Sequence, residues 1–415
     1  MNRNYTFIDL FAGCGGFSEG FYMEGFKALC HVEFDRHACN TLEERMNFYE
    51  YPKDEIEKGV ICEDITNPKV INIIEKAVNG QTVDVLVGGP PCQSFSSVGR
   101  AQDPFSMKMD KRNYLFENYL QILNYFKPKI FVFENVTGLL SAKPNGVPII
   151  SVIFERMQET YNISTDKKEI VLNSVHYGVP QTRKRVIIIG VRKDIDIDPS
   201  EIYNAIPKKH YAPDEVGEPE QKKFLTVEDA IYDLPKILPG EGEEVVDFKP
   251  SIWNEYLKQI RSDEFPYLFN HVARRHNDKD RERYKILSEN KWQLKELQKV
   301  RPDLIHHDPK HFGNRYTVQR KDLPGRTVVA HLYKDGNLFI HPDPNQERTF
   351  TVREAARIQS FPDNFKFVGS RTHQYKQVGN AVPPIMAKEI AKTLKQFLDE
   401  RIYKKCIGEL QTLAK

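Results

Sequence analysis

The chain has 415 residues, 40% hydrophobic and 28% charged, an ordinary balance for a folded protein large enough to hold one big core and one small one. Lysine and arginine total 60 against 58 acidic residues, so a net charge of +2 neither requires nor excludes a nucleic-acid partner. The start, Met1 to Tyr5, lacks a signal peptide's apolar core, and no run approaches the roughly 18 apolar residues of a membrane span, so a cytoplasmic protein without a membrane partner is expected.

Thr6 to Phe11 reads as a buried strand, and Ala12 to Gly20 as a glycine turn feeding a helix. Such a turn suits a nucleoside cofactor, although tight turns without ligands share the pattern. The next strand, Ala28 to Asp35, carries Glu33 at its end, 20 positions after Gly13. That is where ribose hydroxyls would be held; a cap for the helix beginning near Arg36 is the alternative. A third strand, Val60 to Ile65, ends in acids, and Asp64 would either accept from an adenine amino group or cap the turn before Asn67-Pro68.

Val83 to Val87 forms the fourth strand and runs into Gly88-Gly89-Pro90-Pro91-Cys92-Gln93-Ser94-Phe95-Ser96. Proline donates no ladder hydrogen bond and glycine accepts unusual dihedrals, so the chain turns here and leaves Cys92 at the strand's carboxyl end. Ligands bind at that edge of open parallel sheets, and a thiolate there is favoured by backbone N-H groups or cations. Cys92 therefore reads as a nucleophile, with a buried structural cysteine as the competing reading. The six cysteines (14, 30, 39, 62, 92, 406) contain no CxxC pair, so neither a disulfide frame nor a metal site is expected.

Asn113 to Phe126 has the spacing of an amphipathic helix, stopped by Pro128. Ile130 to Val136 is another buried strand, and it sets Glu134-Asn135 at the same edge as Cys92. Burial there would raise the Glu134 pKa; a paired structural acid is the alternative. Before the strand Val186 to Val191, alternation sends Gln181, Arg183 and Arg185 to one face. This basic cluster would clamp a phosphate or a base carbonyl, unless it is a solvated sheet edge.

The βα rhythm breaks after Lys193, which predicts a domain boundary near 195. Residues 271 to 301 hold ten Lys/Arg against five Asp/Glu, interleaved with His271, His276, Tyr284 and Trp292. That excess suits a phosphate backbone, though such helices are often only solvated faces. Thr327 to Pro342 reads as a β-hairpin with an Asp335-Gly336 turn. Thr351 with Glu354 predicts a capping box, and Gln377 to Pro384 leads into a last helix from Ile385 to Leu398.

Together these blocks resemble the DNA (cytosine-5)-methyltransferase family, in its bacterial restriction-modification form. The resemblance rests on DLFAGxGG (Asp9 to Gly16), acidic strand ends (Glu33, Asp64), GGPPCQSFS (Gly88 to Ser96), ENV (Glu134 to Val136), QxRxR (Gln181 to Arg185), TxREAARxQxFPD (Thr351 to Asp363) and GNAVPP (Gly379 to Pro384), in that order. Glu63, where glycine is usual, and Ile358, where leucine is common, depart from the pattern.

The resemblance implies a Rossmann-like mixed α/β sheet with helices on both faces and a smaller inserted target-recognition domain. The expected segments are a catalytic domain at 1–194, recognition at 195–345, and a hinge and helix at 346–415 that complete the catalytic domain. It implies S-adenosylmethionine as cofactor, S-adenosylhomocysteine as product, and no metal. Phe11, Gly13, Gly15, Glu33, Asp64, Ile65, Pro91, Asn380 and Val382 match cofactor-contacting positions. Cys92, Glu134, Asn135, Arg183 and Arg185 match catalytic ones, and Gln93, Ser96, Arg100, Gln181, Arg274 and Arg275 are the candidate DNA contacts. The implied partner is double-stranded DNA, bound by a monomer, with a cognate endonuclease acting on the same site. A tRNA methyltransferase on the same scaffold, a silent DNA-binding regulator and an NAD oxidoreductase are the competing readings.

Overall fold

The computed structural model describes residues 4–91, 115–249, 253–262, 264–305 and 316–403. They divide into two compact units. The first comprises residues up to Asn173, Lys184–Pro207 and the segment from Pro384 onward; the second comprises Ser174–Arg183 and Lys208–Pro383.

The first unit is built on an eight-stranded sheet of β1 (Thr6–Leu10), β2 (Lys27–Glu33), β3 (Val60–Cys62), β4 (Val85–Gly88), β5 (Ile130–Val136), β6 (Tyr161–Ile163), β7 (Val171–Asn173) and β8 (Lys184–Arg192). The order is β3-β2-β1-β4-β5-β8-β6, with β7 also on β8. The five strands from β3 to β5 run parallel, and β8 runs antiparallel to β5. Parallel strands are covered on both faces, which is why these segments are continuous apolar runs. Ile130 to Phe133 and Val85 to Val87 are all fully buried.

Helix α1 (Gly16–Met23) packs on the C-terminal helix Pro384–Phe397, and Gly20 makes that possible. A Cβ on Gly20 would lie 2.5 Å from the Ala387 Cβ, so the two helices meet backbone to backbone. No helix among the described residues is long and apolar enough to cross a membrane.

The second unit has little sheet. Gly242–Asp247 pairs antiparallel with Tyr267–Val272, and a core of Tyr284, Leu287, Leu294, Leu297, Leu304, Tyr316 and Ile340 sits under two short helices. Much of its interior is ionic. Arg348 forks onto Glu354 with both bonds at 2.7 Å, while Arg357 and Arg261 converge on Asp363 at 2.7 and 2.9 Å. The expected capping box forms: Glu354 N donates to Thr351 Oγ1 at 3.1 Å and Thr351 N to Glu354 Oε2 at 2.7 Å.

The compact second unit continues to Pro383. The helix Val352–Ile358 is tied there because Arg353 donates to the carbonyls of Phe269 (2.8 Å) and Pro362 (3.1 Å), and Arg357 to that of Ala230 (3.0 Å). The expected hairpin at 327–342 is absent: Ala330–Tyr333 is a 3-10 turn. Its carbonyls are taken by a side chain rather than by a strand, since Arg274 donates to Leu332, Tyr333 and Lys334.

Burial holds the His271 imidazole at about 4, well below its ordinary 6.5, with Arg348 and Arg357 adding to the effect and Glu354 opposing it. A histidine depressed on folding lends its full stability above about pH 6.5 and loses it as the pH falls toward 4. Stability measured by denaturant titration is therefore expected to fall between pH 6.5 and 4.5, with His271 contributing up to about 1.4 kcal/mol per pH unit. A His271→Asn variant that kept the full acid slope would contradict this.

Candidate active site

The strand order creates the site. From β1 the chain winds outward through β2 and β3, then crosses back to β4 on the other side of β1, so loops leaving β1 and β4 diverge and open a crevice at their carboxyl ends. Leu10 pairs with Gly88, and Gly88 with Phe133. The residues next in line, Phe11, Gly89 and Glu134, therefore stand in one row along that edge.

The loop after β1 is wound left-handed at alternate residues, with φ of 56° at Phe11, 56° at Gly13 and 91° at Gly15. Glycine adopts this freely, whereas Phe11 bears a steric cost of about 1–2 kcal/mol. Glu33 fixes the shape. Its Oε2 accepts from Gly13 N at 2.8 Å, and its Oε1 from Phe34 N and Asp35 N at 2.9 Å each. Burial raises the Glu33 carboxyl above its usual range, and the three N-H donors oppose that rise. A Cβ on Gly13 would meet nothing within 4 Å, so the loop's outer side is open. Asp9 lies buried on β1, accepting from Ser18 Oγ at 2.6 Å, and desolvation pushes its pKa to about 7.

Two strand ends close the crevice. Glu63 N donates to Glu33 O at 2.9 Å, which carries Asp64 and the buried Ile65 past the glycine loop's acid. Asp64 is exposed, and its Oδ1 caps the local turn by accepting from Thr66 N at 2.9 Å and Thr66 Oγ1 at 2.8 Å. Asn135, 3% exposed, donates from Nδ2 to Pro90 O at 3.1 Å and accepts from Val136 N at 2.9 Å. It anchors the segment that leads through the half-buried Pro91 to Cys92. Cys92, Gln93, Ser96 and Arg100 lie outside the described residues.

Glu134 is 14% exposed in its side chain and pairs with Arg185, Nε to Oε1, at 2.9 Å. The pair follows from register: Val136 faces Arg185 and Glu134 faces Ile187, so Glu134 and Arg185 are diagonal neighbours across an antiparallel ladder. Desolvation lowers the Arg185 pKa, and Glu134 opposes that. Among the described cysteines, burial pushes the thiols of Cys14, Cys30 and Cys39 up, which makes all three poor nucleophiles.

The sequence pattern of the C-5 cytosine-specific DNA methylases matches residues 5–396. The chain belongs to this family. M.Bpa9945I, a type II methyltransferase of Bacillus paralicheniformis, is 35% identical over 94% of this chain and 99% of its own. M.DdeI of Desulfomicrobium norvegicum, also a type II methyltransferase, is 35% identical over 94% of this chain and 89% of its own. Among solved structures, a DNA modification methyltransferase encoded within an E. coli prophage matches with a TM-score of 0.68 at 26% identity, covering 96% of this chain and 100% of that one.

In this cytosine-5 DNA methyltransferase, QxRxR is not the single basic face that alternation suggested. Arg185 joins Glu134 in the first unit, whereas Gln181 and Arg183 belong to the second. Arg183, 2% exposed, donates to the carbonyls of Gly379 (3.3 Å) and Ala381 (3.0 Å), and also to Val328 O at 2.6 Å. Gln181 Nε2 donates to Gln359 Oε1 at 2.6 Å, and its Oε1 accepts from Val328 N at 2.7 Å. Arg183 directly, and Gln181 through Gln359, which donates to Val378 O (2.7 Å) and Ala381 O (3.1 Å), brace the backbone around Asn380, which is exposed, and Val382, which is buried. The chain changes units between Arg183 and Lys184, and that break ends the alternation.

The candidate DNA contacts Arg274 and Arg275 also part company. Arg274 is 7% exposed, with its guanidinium on three carbonyls and 4.2 Å from the Tyr375 ring centroid; Arg275 is exposed. Two residues escaped the sequence reading. Phe34, 74% exposed, directly follows Glu33, and an aromatic next to the candidate ribose acid was the available signal. Gly89 is another: a Cβ there would lie 2.7 Å from Glu134 Oε2. Gly89→Ala is expected to displace that carboxylate and lower kcat by about 10²-fold at unchanged melting temperature. Steady-state assays beside a thermal melt check this, and wild-type kcat would contradict it.

Proposed function

We propose that the protein uses S-adenosylmethionine to methylate C5 of a cytosine flipped out of double-stranded DNA, through a covalent bond from Cys92 to C6. The observation that carries the reading is the Glu134–Arg185 pair at the sheet edge, one strand from the β4 end that leads into Cys92.

C5 is a poor nucleophile while the ring remains aromatic. The Cys92 thiolate adds to C6, the C5–C6 π electrons move toward N3, and C5 gains enamine character. Glu134 protonates N3, with Arg185 fixing the orientation of its carboxyl group; general acid help of this kind contributes about 10²–10⁴-fold. Asn135 steadies the Pro90–Pro91 segment on which the thiol depends. When bound, S-adenosylmethionine supplies an electrophilic methyl group for C5 and departs as S-adenosylhomocysteine. N3 returns its proton to Glu134, and loss of the C5 proton to water restores the C5–C6 double bond and expels the Cys92 thiolate. The base must leave its stack first, at a cost of a few kcal/mol. In this reading Gln93, Ser96 and Arg100 touch the DNA.

The open side of the Gly13 loop, flanked by Glu33 and exposed Phe34, supports an adenosine site in which Glu33 takes the ribose hydroxyls and Phe34 stacks on the base. Phe11, Gly15, Asp64, Ile65, Pro91, Asn380 and Val382 complete the proposed cofactor set. The type II relatives support a place in a restriction-modification pair, with a cognate endonuclease that cuts unmethylated DNA. Action as a cytoplasmic monomer completes the reading.

Bisulfite sequencing of DNA from cells expressing the protein is expected to show one methylated cytosine within a fixed sequence. Cys92→Ser is expected to abolish that methylation while S-adenosylmethionine still binds. Methylation by the Cys92→Ser variant at the wild-type level would remove Cys92 from the mechanism.

A further inference from the structure

Sequence composition points to residues 271–301 as the DNA-facing surface of the second unit, but ion pairs and carbonyl contacts take up about half of the positive charge there. Arg281 and Lys285 both pair with Glu347, at 2.8 and 3.7 Å. Arg301 pairs with Asp303 at 2.7 Å and with Glu282, while the buried Arg283 donates to Leu304 O and pairs with Asp280. A cation already held by a carboxylate gains little from a phosphate, because counterion release requires charge that is free to be neutralised.

A different place in the same unit meets that requirement. The 3-10 turn Ala330–Tyr333 lies directly on the helix Arg371–Asn380: a Cβ on Gly379 would fall 2.6 Å from the Ala330 Cα. From below, Arg274 holds the turn by its Leu332, Tyr333 and Lys334 carbonyls. The turn and the helix are thus packed backbone to backbone. Lys334 and Arg371 are exposed and Lys376 half-buried, and no described carboxylate pairs with any of the three. Lys376 Nζ lies 4.9 Å from the Tyr333 ring centroid, and the Tyr333 and His331 rings stack at 6.4 Å and 25°. The turn's carboxylate, Asp335, accepts from Asn337 N at 3.0 Å.

We propose that Lys334, Arg371 and Lys376, on the platform formed by the 330–333 turn and the 371–380 helix, bind the phosphate backbone of duplex DNA. The aromatic pair orients Lys376 and gives the strand an apolar surface to lie against. A preformed platform binds without first ordering a loop, which lowers the entropic cost of association. The inference deepens the reading above and rests on duplex DNA being the substrate.

The test is the salt dependence of binding to a mixed-sequence DNA duplex between about 0.05 and 0.2 M salt. The triple variant Lys334→Gln, Arg371→Gln, Lys376→Gln is expected to flatten the log–log slope by roughly 2 to 3, and Lys334→Gln or Lys376→Gln alone by roughly 0.9. The pair Arg281→Gln, Lys285→Gln, both already held by Glu347, is expected to leave the slope as it was. Unchanged slopes in the triple and both single variants would overturn the platform while wild-type DNA methylation still stood. Wild-type protein that neither bound nor methylated duplex DNA would instead overturn the underlying reading.

Discussion

The first unit depends on one constraint, the in-register ending of three parallel strands. Leu10, Gly88 and Phe133 form a single row of paired backbone, and the glycine loop, the segment leading to Cys92, and Glu134 all begin one residue beyond it. Gly88 has no room for a side chain, because a Cβ would lie 2.7 Å from Leu10 O and 3.0 Å from the Tyr119 ring. A slip of one residue would turn Glu134 to the other face of the sheet and break its diagonal with Arg185. The geometry of the carboxylate is therefore decided by the backbone hydrogen bonds of the sheet that end just before it.

The second unit is held together differently. It has few ladders to satisfy its carbonyls, and buried carbonyls left unpaired are costly. Arginine supplies the missing donors: Arg183 serves Gly379 and Ala381, Arg274 serves the 330–333 turn, Arg283 serves Leu304, and Arg353 serves Phe269 and Pro362. A guanidinium offers five N-H groups in a fixed fork, so one side chain can hold two or three backbone oxygens at once. Much of this unit's positive charge is thereby spent inside the fold. What remains free on the surface is less than a residue count suggests.

That division explains what could be read in the sequence. The buried strands were legible because parallel strands covered on both faces must be apolar throughout, and the Thr351–Glu354 box because a cap is a local interaction. Glu33 could be placed from its spacing alone, and the structure brings it onto Gly13 N. Arg183 and Arg274 could not, because their partners lie 145 or more and 58 or more residues away and leave no periodic trace. The hairpin expected at 327–342 failed for the same reason, since its apolar residues and Asp-Gly turn are real but a distant arginine claims the carbonyls. Alternation through Gln181, Arg183 and Arg185 misled because the chain passes between compact units at Arg183–Lys184, where no strand continues.

What links the sheet edge to the reaction is the claim that sulfur at position 92 bonds to a pyrimidine carbon. The most direct measurement replaces the target cytosine of a recognition-site duplex with 5-fluorocytosine, incubates it with the protein and S-adenosylmethionine, and digests the product for mass spectrometry. Fluorine at C5 cannot leave as a proton would, so the account predicts a stable, denaturant-resistant adduct mapping to the peptide that contains Cys92. No adduct under conditions where the unmodified duplex is methylated, or an adduct on another residue, would contradict it.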